Sequence, residues 1–208
     1  MSADHDISQL LGTLGYGLPE DKARARAELE AKGLTRPGKQ RISDEKLGAV
    51  KDALAARFAV LCGNPVCEQA ASKGREIVRA IPQTMCEHCG GSDNKKAFLR
   101  LEALASKRGV AKFVIVGGSP SVREELRAQA PSRWQLRLID GTERRTGRDA
   151  QADLDWADLI LVWGGSELDH KVSRLYTDAA GPTRRKVVQL ARRGIAALLN
   201  AAADHLEH

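Results

Sequence analysis

Four cysteines stand in two close pairs, Cys62-x4-Cys67 and Cys86-x2-Cys89, eighteen residues apart, and the chain holds no others. Thiolates at this spacing form the donor set of a tetrahedral metal site. Four sulfurs leave no open coordination position, which describes closed, structural zinc rather than catalytic zinc. Each pair lies in a turn sequence, Cys62-Gly63-Asn64-Pro65-Val66-Cys67 and Cys86-Glu87-His88-Cys89-Gly90-Gly91. Glycines there let backbone amides face the thiolates. Two disulfides or an iron–sulfur cluster would use the same four residues. A redox role for the second pair is less favoured, because that pair does not follow a sheet strand. No cysteine is left over as a nucleophile. His88 could replace a ligand, but with four thiols present it is expected at the surface.

A second group of polar residues sits where apolar runs end. Gly117-Gly118-Ser119-Pro120-Ser121 follows one run, Asp140-Gly141 a second, Trp163-Gly164-Gly165-Ser166 a third, and Arg192-Arg193 a fourth. Exposed amides before a helix suit an anion such as phosphate. Ser121-x-x-Glu124 and Ser166-x-x-Asp169 are capping-box patterns, so one helix is expected from Val122 and another just after Ser166. Gly117, Gly118, Ser119, Ser121, Gly164, Gly165 and Ser166 are therefore candidate ligand residues, with Arg192 and Arg193 as added phosphate contacts. Asp140 stands 23 residues after Gly117, where a ribose-binding acid would sit, although an Asp-Gly turn alone explains it. The G-x-G-x-x-G dinucleotide fingerprint is missing. His170 and Lys171 are expected in the first turn of a helix at this edge. There His170 would act as acid or base, or donate to a phosphate, with Asp140 and Asp169 in support.

The runs themselves are Lys112–Val116, Trp134–Ile139, Leu159–Trp163 and Lys186–Ala191. Near-continuous apolar strands alternating with helices predict a parallel sheet covered on both faces. The fold class expected is α/β, a small doubly wound, Rossmann-like sheet of about four strands over 111–205. Residues 59–110 form the cysteine module. Its second pair leads into a helix with Ala97, Phe98, Leu101, Leu104 and Ala105 on one face, which resembles a treble clef, with a zinc ribbon as the alternative. Lys95, Lys96 and Arg100 on that helix would suit phosphates.

Residues 1–58 read as helical. Pro19 opens a helix to Lys32 and Gly33 closes it. Ser43 caps another helix, whose Leu47, Val50, Leu54 and Phe58 share a face. The loop between carries Arg36, Lys39 and Arg41. That fits a helix-turn-helix-like nucleic-acid reader or a plain helical hairpin. Leu206-Glu207-His208 looks like an expression scar.

The 208 residues carry 33 basic and 27 acidic side chains, a net of +6, and 21 of the basic ones are arginine. A polyanionic partner suits that balance, and so does an ordinary mixed-charge surface. Aromatic content of 4% is poor material for a base-stacking platform. No apolar run reaches the roughly 18–20 residues of a membrane span, and no secretory signal opens the chain, so a cytoplasmic, non-membrane protein is expected.

Phe113-Val114-Ile115-Val116-Gly117-Gly118, Asp140-Gly141, Ala157-Asp158-Leu159-Ile160 and Asp169-His170-Lys171 together resemble an uncharacterised bacterial Rossmann-like family, a domain of unknown function, over about residues 111–200. The resemblance implies a small α/β fold and no particular activity. The functional expectation is a zinc-binding regulatory or accessory protein that binds nucleotide or nucleic acid. One alternative is a nucleotide- or phosphodiester-processing enzyme using His170. Another is a protein-interaction module with structural zinc only, homodimerisation included.

Overall fold

The computed structural model describes residues 4–71 and 73–208. The chain divides into two compact units, Met1–Lys96 and Ala97–His208, with the division inside one helix.

The first unit begins with strand β1 (Asp4–Asp6) and helix α1 (Ile7–Thr13), capped by the Asp6 carboxylate on the Gln9 amide. Helix α2 (Pro19–Ala31) starts with proline at its first turn, beside Glu20 and Asp21. It stops at Lys32, and Gly33 follows with φ of 68°. Proline-in, glycine-out is the asymmetry that helix ends favour. Strand β2 (Arg41–Ser43) pairs antiparallel with β1. Ser43 does not cap a helix directly: a 3-10 turn (Asp44–Lys46) intervenes before α3 (Leu47–Arg57). Phe58 lies beyond that helix and opens strand β3 (Phe58–Leu61). Its side chain is nevertheless buried with Val50 and Leu54, in one cluster with Leu11, Tyr16 and Leu29. Helix α4 (Pro65–Ala70) connects β3 to β4 (Glu76–Arg79), and the two strands pair in parallel. Asp21, 3% exposed, ties α2 to β4 by accepting the Arg79 amide at 3.0 Å and Arg24 Nη2 at 2.5 Å.

Helix α5 (Asp93–Arg108) crosses into the second unit. Four parallel strands follow, β5 (Lys112–Val116), β6 (Gln135–Ile139), β7 (Leu159–Trp163) and β8 (Val187–Leu190), in the order β6-β5-β7-β8. Between and after them come α6 (Pro120–Gln129), α7 (Gly147–Trp156), α8 (His170–Thr177) and α9 (Ile195–Glu207), so Leu206 and Glu207 continue the last helix. Strand side chains alternate between faces. Phe113, Ile115, Leu159, Leu161 and Trp163 pack with Phe98 and Leu101 of α5, Leu126 of α6 and Leu198 of α9. Val114, Val116, Ile160 and Val162 pack with Leu154 of α7 and with Val172 and Tyr176 of α8. Both faces are buried, which is why these strands are almost continuously apolar. The chain changes face between α6 and α7, so the switch point lies between the ends of β5 and β7. No helix among the described residues is long and apolar enough to cross a membrane.

Candidate metal centre and the carboxyl edge of the sheet

Cys62 follows β3, and Gly63, with φ of 76°, turns the chain back. Asn64 caps α4 through the Val66 amide at 3.0 Å, which sets Cys67 on that helix with 0% exposure. The second pair follows a 3-10 turn (Gln83–Met85). The Glu87 amide bonds Val60 O at 3.0 Å, and Arg75 grips the Glu87 carboxylate at 2.6 and 3.1 Å. Gly90 and Gly91, with φ of 54° and 79°, complete the turn before α5.

These turns bring Cys62, Cys67, Cys86 and Cys89 together, all four buried. Their sulfurs are 3.6–3.9 Å apart. A tetrahedron with metal–sulfur bonds of about 2.3 Å has edges of about 3.8 Å. The spacing therefore fits one metal ion. The four thiols are free, not disulfides, which removes that alternative. A multi-iron cluster interposes iron and sulfide between its thiolates and would hold them farther apart. Burial pushes the Cys86 thiol up, but backbone N–H groups of Cys89, Cys62 and His88 outweigh it and bring its pKa to about 7. Burial, then the neighbouring sulfurs, push Cys67 up. His88 is outside the quartet. Its side chain is 23% exposed and lies 3.7 Å from the Glu87 carboxylate, so it is less exposed than the sequence suggested.

The basic residues of the helical segments are partly spoken for. Lys96 pairs with Asp93, and Arg100 pairs with Asp204 and Glu207. Arg41 sits in β2 and donates to Asp4 O, whereas Lys95, Arg36 and Lys39 are exposed.

At the carboxyl edge, Gly117 and Gly118 have φ of 104° and 85°. A Cβ on Gly117 would lie 2.7 Å from Ser166 Oγ. The glycine thus permits the turns after β5 and β7 to meet. The Gly118 amide donates to Ser166 Oγ at 2.7 Å, and that hydroxyl donates to Trp163 O at 2.6 Å. Ser166 therefore bridges two turns and does not cap α8. That cap is Asp169, which accepts the Lys171 amide. Likewise Ser121 does not start α6: Ser119 is the N-cap and Pro120 the first helical residue. Proline at the first position outweighs the box pattern.

Most of the candidate ligand residues line one of three separate depressions. Gly118, Ser119, Gly165, Ser166 and Arg193 line one of about 270 Å³ at the switch point. Gly164 and His170 line another of about 570 Å³, with Arg174, Asp178 and Gln189. Asp169 and Lys171 line a third of about 490 Å³, with Thr142, Arg144 and Arg145. Gly117, Ser121, Asp140 and Arg192 line none of these. Arg192 offers its carbonyl to Trp163 Nε1 at 2.8 Å. The His170 imidazole has no hydrogen-bond partner among the described residues.

Asp140 accepts the Thr142 hydroxyl at 2.7 Å, the Thr142 amide at 2.9 Å and Arg123 Nη2 at 2.6 Å. The Thr142 bonds first, then Arg123, pull its pKa down to about 2 against the effect of burial. Between pH 7 and about 4 both folded and unfolded chains carry this charge, and its contribution to stability is complete. Below that the unfolded chain takes up the proton first, so stability falls until about pH 2. Thr142→Val is expected to raise the Asp140 pKa toward that of the unfolded chain, so that stability near neutral pH falls and the acid-dependent loss becomes smaller and ends at higher pH. Carboxyl NMR titration and acid melting curves measure both.

Comparison of the chain with protein-family models, with curated proteins and with solved structures finds no match. Sequence reasoning passed over Asp153 and the pair Arg144 and Arg145. The signal for Asp153 was present: Ala150-x-x-Asp153-Leu154-x-x-Ala157 puts the acid on the apolar face of α7.

Proposed function

We propose that the chain is a zinc-stabilised accessory protein whose sheet unit binds a nucleotide or a similar phosphorylated small molecule at its carboxyl edge. The observation that carries the metal half of this reading is the buried thiol quartet at tetrahedral spacing. Thiolate tetrahedra favour zinc, and a closed set of four ligands assigns it a structural role. Free thiols in such a site suit a reducing compartment such as the cytoplasm. A small phosphorylated ligand is favoured over nucleic acid because several helix cations are neutralised by acids, while the sheet edge offers concave sites of ligand size. The parallel, doubly wound sheet of the second unit agrees with that placement, since such sheets bind ligands outside the carboxyl ends of their strands. An enzymatic role for His170 gains no support, since Asp140 is bound to Thr142 and Arg123 and Asp169 to the Lys171 amide.

Metal analysis of purified protein is expected to give one zinc per chain. Calorimetric titration with adenosine monophosphate at low salt is expected to show binding that weakens as salt is added. Protein without a stoichiometric metal would end the first half of the proposal, and no binding at low salt would end the second. One iron per chain would replace zinc with a mononuclear iron site.

A further inference from the structure

We infer that the depression between the loop after β6 and the start of α8 is a phosphate site, built for the dianionic group of a phosphomonoester. This inference rests on the small-ligand reading above and adds where the phosphate sits. The cavity, about 490 Å³, is lined by Thr142, Arg144, Arg145, Asp169, Lys171 and Val172. Three cations thus face one carboxylate. That carboxylate is already engaged, because Asp169 Oδ1 accepts the Lys171 amide at 2.6 Å.

The cations differ in how they are held. Arg145 is fixed from below: its Nη2 bonds Asp153, a carboxylate only 2% exposed. Asp153 is itself pinned by Arg137 Nη1 at 3.0 Å and the Tyr176 hydroxyl at 2.8 Å. A guanidinium placed before the ligand arrives loses little side-chain entropy on binding. Arg144 and Lys171 pair with no acid among the described residues, so their charges are free for a ligand. Residual positive charge at the mouth and a rigid arginine at the wall are what a phosphate dianion requires. The volume exceeds a lone phosphate and admits the sugar of a nucleoside monophosphate.

The neighbouring depressions are less suited. The one beside His170 sets Arg174 against Asp178. The one at the switch point sets Arg193 against Glu167, and Arg193 Nε is bonded to Gly165 O at 3.1 Å. Its turn amide at Gly118 is already taken by Ser166.

The test titrates the full chain with adenosine monophosphate and, separately, with inorganic phosphate. It compares wild type, Arg144→Ala/Lys171→Ala, Arg193→Ala, and a matched surface control, Arg127→Ala/Arg148→Ala. Melting curves confirm that each variant is folded. The expected result is at least a tenfold loss of affinity for both probes in Arg144→Ala/Lys171→Ala, with a shallower salt dependence, and near-wild-type binding in the control. Wild-type affinity in that variant, or a larger loss in Arg193→Ala, would move the phosphate elsewhere and overturn the inference while leaving the small-ligand reading standing. An equal loss in the control would reduce the effect to net charge and also overturn it. Wild type that binds neither probe removes both.

Discussion

Cys67→Ser is expected to leave the chain without stoichiometric metal and to unfold much of the Met1–Lys96 unit at temperatures where the wild type is folded. Cys67 is fully buried on α4, with its sulfur 3.8 Å from that of Cys62. Serine removes a soft thiolate and leaves a hydroxyl in a closed sulfur cage. Structural zinc in small modules contributes apparent binding free energies of about 10–16 kcal/mol, which in such systems is folding free energy. This unit has limited apolar material to fall back on, since its cluster includes one tyrosine and one phenylalanine among ten buried residues.

The same variant predicts a difference between the units. The sheet unit has its own apolar clusters on both faces, so its unfolding is expected to change little. Differential scanning calorimetry with and without a chelator measures this. Wild type is expected to show a chelator-sensitive transition, and Cys67→Ser is expected to lose that sensitivity. A wild-type melt that ignores the chelator would contradict the metal centre itself. Acid is expected to act like the chelator, because protons compete with the ion for the thiolates.

The clustered thiol quartet and the sheet were legible in the sequence because their signals are local. Two cysteine pairs in glycine-bearing turns specify a donor set before any tertiary contact is known. Strands buried on both faces announce themselves as apolar runs that end in glycine, as Phe113–Gly118 and Leu159–Gly165 do. What was not legible depends on pairing at a distance. Strands β1 and β2 have three residues each and are largely polar, Asp4-His5-Asp6 against Arg41-Ile42-Ser43. Phe58 continues the spacing of Val50 and Leu54, and only its pairing with Glu76 makes it a strand residue. The division of the carboxyl edge into three depressions follows from loop paths and the side chains of α8, which no spacing rule supplies. Ser166 shows the point at one residue. Its pattern suggested a cap, but the close approach of two turns made it a bridge between Gly118 and Trp163.

Asp153→Ala is expected to be among the most damaging single substitutions in the sheet unit. The carboxylate lies on the apolar face of α7, among Ala150, Leu154 and Tyr176. It is tolerated there because its oxygens are bonded to Arg137, Arg145 and the Tyr176 hydroxyl. Burial first, then the bond to Asp153, pushes the Tyr176 pKa up, so the hydroxyl remains a donor at every ordinary pH. Removing the acid strands a fully buried hydroxyl and a largely covered guanidinium. Arg137 suffers least: it is 40% exposed and lies 4.0 Å from the Trp156 ring centroid, so it keeps both water and a stacking partner. Breaking one side of such a buried arrangement costs roughly 3–5 kcal/mol, enough in a unit of this size to lower its melting temperature by more than about 10 °C. Tyr176→Phe removes a single bond and should cost about 1 kcal/mol. Thermal melts of Asp153→Ala, Tyr176→Phe and the double variant measure the coupling. Additive losses would show that the Tyr176 hydroxyl is not coupled to the acid, and an Asp153→Ala melt within a few degrees of wild type would show that the acid does not hold Arg145 in place and would remove the rigid wall of the proposed phosphate site.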